Sequence, residues 1–329
     1  MCGVALSYAS ADSLGRLDLA KNRQPQSLTM SYIELYNSGE LLERVRLGYA
    51  RLKSCDLCPH ACGVNRLAGE SGVCRAKARP RIASANVHRG EEPPISGSRG
   101  SGTIFLSGCS LHCRFCQNFP ISQLANGNDL TTGELAAKFI RLESQGVHNI
   151  NFVTPTHFLP QILAAIYLAI GQGFRLPIVW NSSGYERVDA LRLLDGIVDI
   201  YLPDMKYAAD EQAVRFSSAP DYREINRAAI REMLRQVGHL QVDDGGVAVR
   251  GLIIRHLVLP EGGAGSGETL AWIGANLGRE THVSLMKQFF PAHEAASVPG
   301  IHRRLTDWEY EEAVTALEEA GLENGWVQE

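Results

Sequence analysis

From Thr103 to the C-terminus, short apolar runs alternate with stretches of helical spacing, and this alternation limits the fold more than any other feature. The runs are Thr103–Leu106, Asn149–Val153, Pro177–Asn181, Val198–Leu202, Gly251–Leu259 and His282–Met286. The helical stretches that follow them are Thr132–Gln145, Pro160–Gly171, Glu186–Leu194, Tyr222–Val237, Glu268–Asn276 and Asp307–Ala320. Six strand–helix units in succession predict a parallel sheet joined by right-handed crossovers. The runs are nearly continuous in apolar character, as strands buried on both faces require. Six units fall short of the eight of a closed barrel, so the expected fold is α/β, a partial (β/α)6 TIM-like barrel. Its functional side chains should gather at the C-terminal ends of the strands.

Seven of the eight cysteines fall in two clusters, which suits metal ligation in a reducing cytoplasm better than a disulfide framework. Cys109, Cys113 and Cys116 follow the first run in the spacing C-x3-C-x2-C. Three thiolates cannot by themselves close a tetrahedral zinc site or a four-iron cluster. His112 or a distant residue would complete a zinc knuckle. A cubane held by three cysteines instead keeps one iron open to a ligand. Upstream, Cys55, Cys58, Cys62 and Cys74 are spaced C-x2-C-x3-C-x11-C. Four thiolates satisfy a metal completely, so this set reads as a closed second site, either structural zinc or an iron–sulfur cluster. Gly63, Gly69 and Gly72 let the backbone fold closely around it, and His60 reads as a surface or neighbouring group. Cys2 stands alone as an incidental thiol.

A chain of 329 residues can bury one large or two unequal cores. Its net charge of −4 gives no basic field for nucleic acid. No stretch has the roughly 20 apolar residues that span a bilayer, and the N-terminus lacks the basic region and apolar core of a signal peptide. The expected location is therefore the cytoplasm, with neither nucleic acid nor membrane as partner. Residues 1–29 read as a weakly ordered extension, with Met30 an alternative start. Residues 30–101 comprise a helix, the cysteine-rich segment, a short strand at Ile82–Val87 and a Pro/Gly/Ser linker. Residues 102–329 form the barrel. The glycine-rich run Glu261–Gly267 lacks the Lys-Ser/Thr of a phosphate loop. It reads, with residues 90–101, as flexible chain flanking the barrel mouth.

C-x3-C-x2-C directly after a first strand, with Phe115 just before the last cysteine, resembles the signature of the radical S-adenosylmethionine (SAM) superfamily. The resemblance implies the partial barrel of the radical SAM type. It also implies a 4Fe-4S cluster on Cys109, Cys113 and Cys116 whose open iron chelates the amino and carboxylate groups of SAM. An electron then enters the sulfonium, and a 5′-deoxyadenosyl radical abstracts hydrogen from substrate. Cofactor contacts are implied for Phe115 and Asn118 on the cluster loop. After the second strand Thr154 and Thr156 stand where superfamily members often carry a Gly-Gly-Glu type run that receives the SAM amino group. Asn181 and Ser182 follow the third strand. Asp204-x-Lys206 after the fourth resembles pyruvate formate-lyase activating enzyme, which implies Lys206 on the SAM carboxylate and Asp204 beside a monovalent cation. Arg255 and His256 interrupt the fifth strand; one of them must face the barrel interior. His256 is taken with Asp204 and Lys206 as a candidate catalytic residue, and His293, after the sixth strand, as a further SAM contact.

From Cys55 onward the chain is also similar to proteins labelled pyruvate formate-lyase activating enzyme-like, on the runs CDLCPHACGVNR, GTIFLSGCSLHCRFCQN, NINFVTPTH, SGYE and DIYLPDMKY. This implies an activase-like enzyme with a small-molecule or protein substrate and an electron donor such as flavodoxin or ferredoxin. A radical epimerase of a small molecule such as a sugar is the alternative. A non-enzymatic iron–sulfur or zinc protein is a second alternative, disfavoured because a carrier gains nothing from an open iron.

Overall fold

The computed structural model describes residues 30–328, so Cys2 and the expected extension lie outside the described residues. The helical segment expected from Met30 is two helices, α1 (Ser31–Ser38) and α2 (Glu40–Ala50). Gly39 separates them in the left-handed region at φ 82°, where a side chain would be strained. The cysteine segment follows with two 3-10 turns, Arg51–Ser54 and Arg66–Ala68, around a small apolar cluster of Leu52, Cys55 and Leu57.

The rest of the chain runs β1 (Arg81–His88), α3 (Pro93–Ser96), β2 (Ser101–Leu106), α4 (Phe119–Ser122), β3 (Asn128–Asp129), α5 (Thr132–Ser144), β4 (Ile150–Val153) and α6 (Leu159–Ile170). It continues through β5 (Ile178–Ser182), α7 (Val188–Leu191), β6 (Ile200–Pro203), α8 (Asp210–Ser217), α9 (Tyr222–Val237), β7 (Gln241–Val242) and β8 (Ala248–Leu257). It closes with α10 (Ser266–Leu277), β9 (His282–Met286), α11 (Asp307–Glu319) and β10 (Gly325–Val327). The strand order is β10-β9-β8-β6-β5-β4-β2-β1-β3, with β7 paired to β8. From β2 to β10 every neighbouring pair on this path is parallel, whereas β1 joins β2, and β3 joins β1, antiparallel. The sheet does not close, since β10 and β3 are its two edges. This is a mostly parallel, open half-barrel, and all six expected strands lie in it.

Period-two alternation sorts the strand side chains. Ile178, Trp180, Tyr201, Leu252 and Ile254 pack outward against the helices in the main core. Their neighbours Val179, Ile200, Leu202 and Ile253 face inward, where Ile95 joins them. Thr131 and Thr306 start α5 and α11 with capping boxes to Glu134 and Glu309, two orphan helix donors met at each start.

The Pro/Gly/Ser-rich stretch behaves differently from the expected linker. Within it α3 carries Ile95, fully buried, and the Asn149 side chain donates to the Ile95 carbonyl at 2.8 Å. Asn149 immediately precedes β4, so α3 plugs the N-terminal floor of the half-barrel, not its mouth. Burying an Ile side chain contributes about 1.5–3 kcal/mol, which exceeds what an open connection would gain. Among the described residues no helix is long and apolar enough to cross a membrane.

Candidate active site

One cavity lies along the C-terminal strand ends. Cys109, Cys113 and Cys116 line it together with Phe115, Gln117 and Asn118 of the same loop. The facing wall comprises Thr154 after β4, Asn181 and Ser182 at the end of β5, Asp204 and Lys206 after β6, Arg255 on β8, and Met286 on β9. A larger depression beside Pro59, Glu186 and Arg192 contains none of the cysteines.

The loop holding the three sulfurs is fixed by its neighbours. His112 N donates to the Ser217 carbonyl at 2.9 Å and Arg114 N to the Phe216 carbonyl at 2.8 Å, both at the end of α8. Each sulfur has a polar partner: Leu111 N donates to Cys109 Sγ at 3.3 Å and Ser217 Oγ to Cys113 Sγ at 3.0 Å, while Cys116 Sγ lies 3.1 Å from Ser122 Oγ. Burial raises the Cys109 thiol well above its ordinary value, with Cys113 adding to the shift. Burial pushes Cys113 up to about 11, although the Lys206 ammonium opposes it. The three sulfurs therefore sense one another across a desolvated pocket, an arrangement that a cationic iron core would relieve on deprotonation.

Across the cavity, Lys206 Nζ pairs with Asp204 Oδ2 at 2.6 Å. Burial alone would lower the Lys206 pKa; the Asp204 carboxylate and Cys113 outweigh it, so the net shift is upward and the ammonium stays charged. Helix α9 positions this pair. Tyr222 Oη accepts from Lys206 N at 3.0 Å, and Asn226 Nδ2 donates to the Asp204 carbonyl at 2.9 Å.

A profile of the radical SAM superfamily matches residues 103–252. An uncharacterized protein of Methanocaldococcus jannaschii is 33% identical over 290 residues, which are 85% of this chain and 79% of that protein. This chain belongs to the radical SAM superfamily. SAM and a 4Fe-4S cluster come with that membership. Among solved structures, the chain is similar to HydG, a maturase of the FeFe-hydrogenase, at 14% identity and a TM-score of 0.49 over 71% of this chain. It spans about half of that protein, 53%. It is also similar to a radical SAM methyltransferase from Sphaerobacter thermophilus at 16% identity and a TM-score of 0.46, over 92% of this chain and 93% of that one.

Of the residues singled out in the sequence, the radical SAM cavity gathers the three cysteines, Phe115, Asn118, Thr154, Asn181, Ser182, Asp204 and Lys206. It does not gather His256. The inward set on β8 includes Ile253, and Arg255 shares its face, so His256 turns outward. There its Nδ1 lies 2.6 Å from the Met205 carbonyl and its Nε2 2.9 Å from Ser266 Oγ. Burial pushes its pKa down to about 4, so it is neutral and structural. Arg255 takes the interior place, with Nη1 3.4 Å from Asn181 Oδ1 and Nε 3.2 Å from Glu92 Oε1. Thr156 also leaves the cavity, donating to Glu186 Oε1 at 2.8 Å. His293 stands outside the cavity lining, stacked on Phe119 with ring centroids 4.8 Å apart. The Glu261–Gly267 run lies beside α11, away from the cavity, with Gly262 and Gly267 lining a separate depression that includes Glu309.

Two residues escaped the sequence reading. Glu186, buried, accepts from Thr156 Oγ1, from Trp180 Nε1 at 2.9 Å and from Ser182 Oγ at 2.6 Å, and so fixes the cavity-lining Ser182. Burial raises its pKa, which those three donors offset only partly. Arg66 is fully buried with no carboxylate within ion-pair distance among the described residues. Its guanidinium donates to the carbonyls of His157 at 2.7 Å and Lys77 at 2.8 Å and reaches Cys55 Sγ at 3.8 Å.

Cys55, Cys58 and Cys74 are buried and Cys62 partly so, all as free thiols. Burial pushes Cys58 up to about 12, with Cys74, Cys55 and Cys62 contributing. Among the described residues no three or more His, Cys, Asp or Glu side chains come together as ligands of a single metal ion. A cubane sets a different demand, because each thiolate binds its own iron and the inorganic core lies between them. The four-cysteine segment packs directly on the cluster loop, with His60 Nε2 2.7 Å from the Ser110 carbonyl and His112 Nε2 3.1 Å from that of Val73. Gly108, at φ 85°, must be glycine, because a Cβ there would collide with the Cys74 carbonyl.

Proposed function

We propose that this chain cleaves SAM reductively and abstracts hydrogen from its substrate in the manner of the activating enzymes of glycyl-radical proteins. The observation that supports the reading is the convergence of the three sulfurs with the Asp204–Lys206 pair in one cavity at the strand ends. Bound there, the cluster and SAM supply one-electron cleavage of a carbon–sulfur bond and a carbon-centred hydrogen acceptor. The protein's own residues hold and shield. Cys109, Cys113 and Cys116 ligate three irons. Lys206 would hold the SAM carboxylate, while Asp204 keeps the ammonium oriented and would stand beside a monovalent cation. The four upstream cysteines hold a second iron–sulfur centre or a zinc ion, whose net negative charge Arg66 offsets.

Epimerisation needs a thiol that returns hydrogen to the opposite face. Of the eight cysteines only Cys2, outside the described residues, is spare from the two proposed ligand sets, so hydrogen abstraction without return is the better-supported chemistry. The deciding experiment supplies anaerobically reconstituted protein with SAM and a strong reductant. 5′-Deoxyadenosine is the expected product, and none of it from protein with a full iron complement would overturn the proposal. A glycyl radical on a second polypeptide, seen by electron paramagnetic resonance, identifies a protein substrate. Solvent deuterium at one carbon of a small product identifies the epimerase instead.

Lys206→Ala is expected to weaken SAM binding roughly ten- to hundredfold, the loss of one charge-assisted contact of about 1.5–3 kcal/mol. Equilibrium binding to reconstituted protein measures it, and an affinity within twofold of the parent removes Lys206 from the SAM site.

A further inference from the structure

Arg75, Lys77 and Arg79 are exposed, and between them Ala76 is buried and Ala78 half-buried. The segment is irregular, with Arg75 left-handed at φ 60° and a bend at residues 78–79, yet it turns all three cations to one groove. None of them has a carboxylate within ion-pair distance among the described residues, whereas Arg81 beside them is spent on Asp129 at 2.6 Å. The three side chains line a groove whose inner wall comprises Ala76, Ser107 and Phe158. In a chain of net charge −4, such an unpaired cluster is a local reversal of sign.

What lies behind this groove gives it a purpose. Arg75 follows Cys74, whose carbonyl rests against Gly108, and Gly108 precedes Cys109. Ser107 thus faces the groove while Cys109, two residues on, faces the active cavity. The Lys77 carbonyl accepts from Arg66, which touches the Cys55 thiol. No other part of the surface described above combines unpaired cations with so short a path to both cysteine sets.

We propose that this groove is where an acidic, low-potential one-electron carrier protein docks, and that its electron reaches the active cavity past Cys74 and Gly108. The inference rests on the SAM-cleaving reading, which requires one electron per turnover. The carrier is oxidised by one electron and the centre held by Cys109, Cys113 and Cys116 is reduced by one; no atom or proton need move with it. Charge complementarity favours an acidic protein. A nucleic acid fits less well, because the cationic track is three residues long and its aromatic neighbour Phe158 is buried and closed to base stacking.

The test uses reduced flavodoxin as carrier and dithionite as a small reductant that needs no docking. Lys77→Glu with Arg79→Glu is expected to slow flavodoxin-driven reduction, followed by the bleaching of cluster absorbance, about tenfold or more at low salt, as loss of electrostatic steering does. Crosslinking of flavodoxin to the protein should fall in parallel, with or without SAM. Dithionite-driven reduction should keep its parental rate, which shows that the variant is folded and loaded. Lys77→Gln should fall between the two, and the parent's rate should drop steeply with added salt. An unchanged flavodoxin rate and crosslink in the double variant overturns the proposal. So does tight binding of a single-stranded RNA that the variant loses while flavodoxin reduction stays unchanged. If dithionite reduces the parent yet no 5′-deoxyadenosine forms, the SAM-cleaving reading fails, while crosslinking still reports on the docking site.

Discussion

Cys113→Ala is expected to bring 5′-deoxyadenosine formation down to background while the half-barrel stays folded. Cys113 is buried, and its sulfur receives the Ser217 hydroxyl at 3.0 Å, which itself lies against Tyr207 Oη at 2.5 Å. Deleting one small buried group costs stability on the order of 1 kcal/mol, so circular dichroism and the unfolding midpoint should move little. Function does not have that margin. Two thiolates cannot retain a cubane that three hold with one iron already open. Iron content should fall by about one cluster, and SAM cleavage should vanish with it. Cleavage at the parental rate in this variant would show that the three cysteines are not the ligands.

Arg66→Leu carries the second large effect, and its readout is stability and metal content together. Leucine replaces the stem but not the guanidinium, leaving the carbonyls of His157 and Lys77 without their donor. It also removes a cation buried against the thiols of Cys55 and Cys74. Leaving a buried acceptor without its donor typically costs about 1–3 kcal/mol. The denaturant midpoint should fall accordingly, and the second metal should be lost. Arg66→Lys should recover part of the charge without the forked geometry. Metal analysis of the parent sets the baseline: about eight irons if both sets hold clusters, or about four irons and one zinc. A Leu variant with parental stability and metal content would make Arg66 a bystander.

The sheet was legible because parallel strands buried on both faces write themselves as apolar runs. The cysteine loop was legible because its spacing is local. β10 was not: it is three residues long, begins at Gly325, and gains its place only by pairing with β9. α3 was missed for the opposite reason. Pro93 and Pro94 followed by a Ser/Gly run signal loop, yet Ile95 finds a slot that three distant strands, β5, β6 and β8, create. Arg255 and His256 show the limit most sharply. Alternation says that they face opposite ways, but only the register of the β8 interior, fixed by Ile253, says which faces in. Arg66 gave no signal, since a surface-type residue in a turn does not announce that distant backbone carbonyls will enclose it.

The plug under the barrel has a consequence for how the chain can be divided. Glu92, buried beside Ile95, reaches Arg255 at 3.2 Å, and Arg255 lies 4.0 Å from Asp204 of the active pair. The floor and the roof of the half-barrel are therefore wired through one guanidinium, and the floor belongs to the segment before β2. A gene cut at residue 102 would yield strands with a wet slot where Ile95 sat, and an arginine lining the cavity with its buried partner Glu92 gone. The α3 segment is thus part of the barrel's own foundation, although it precedes the first parallel strand.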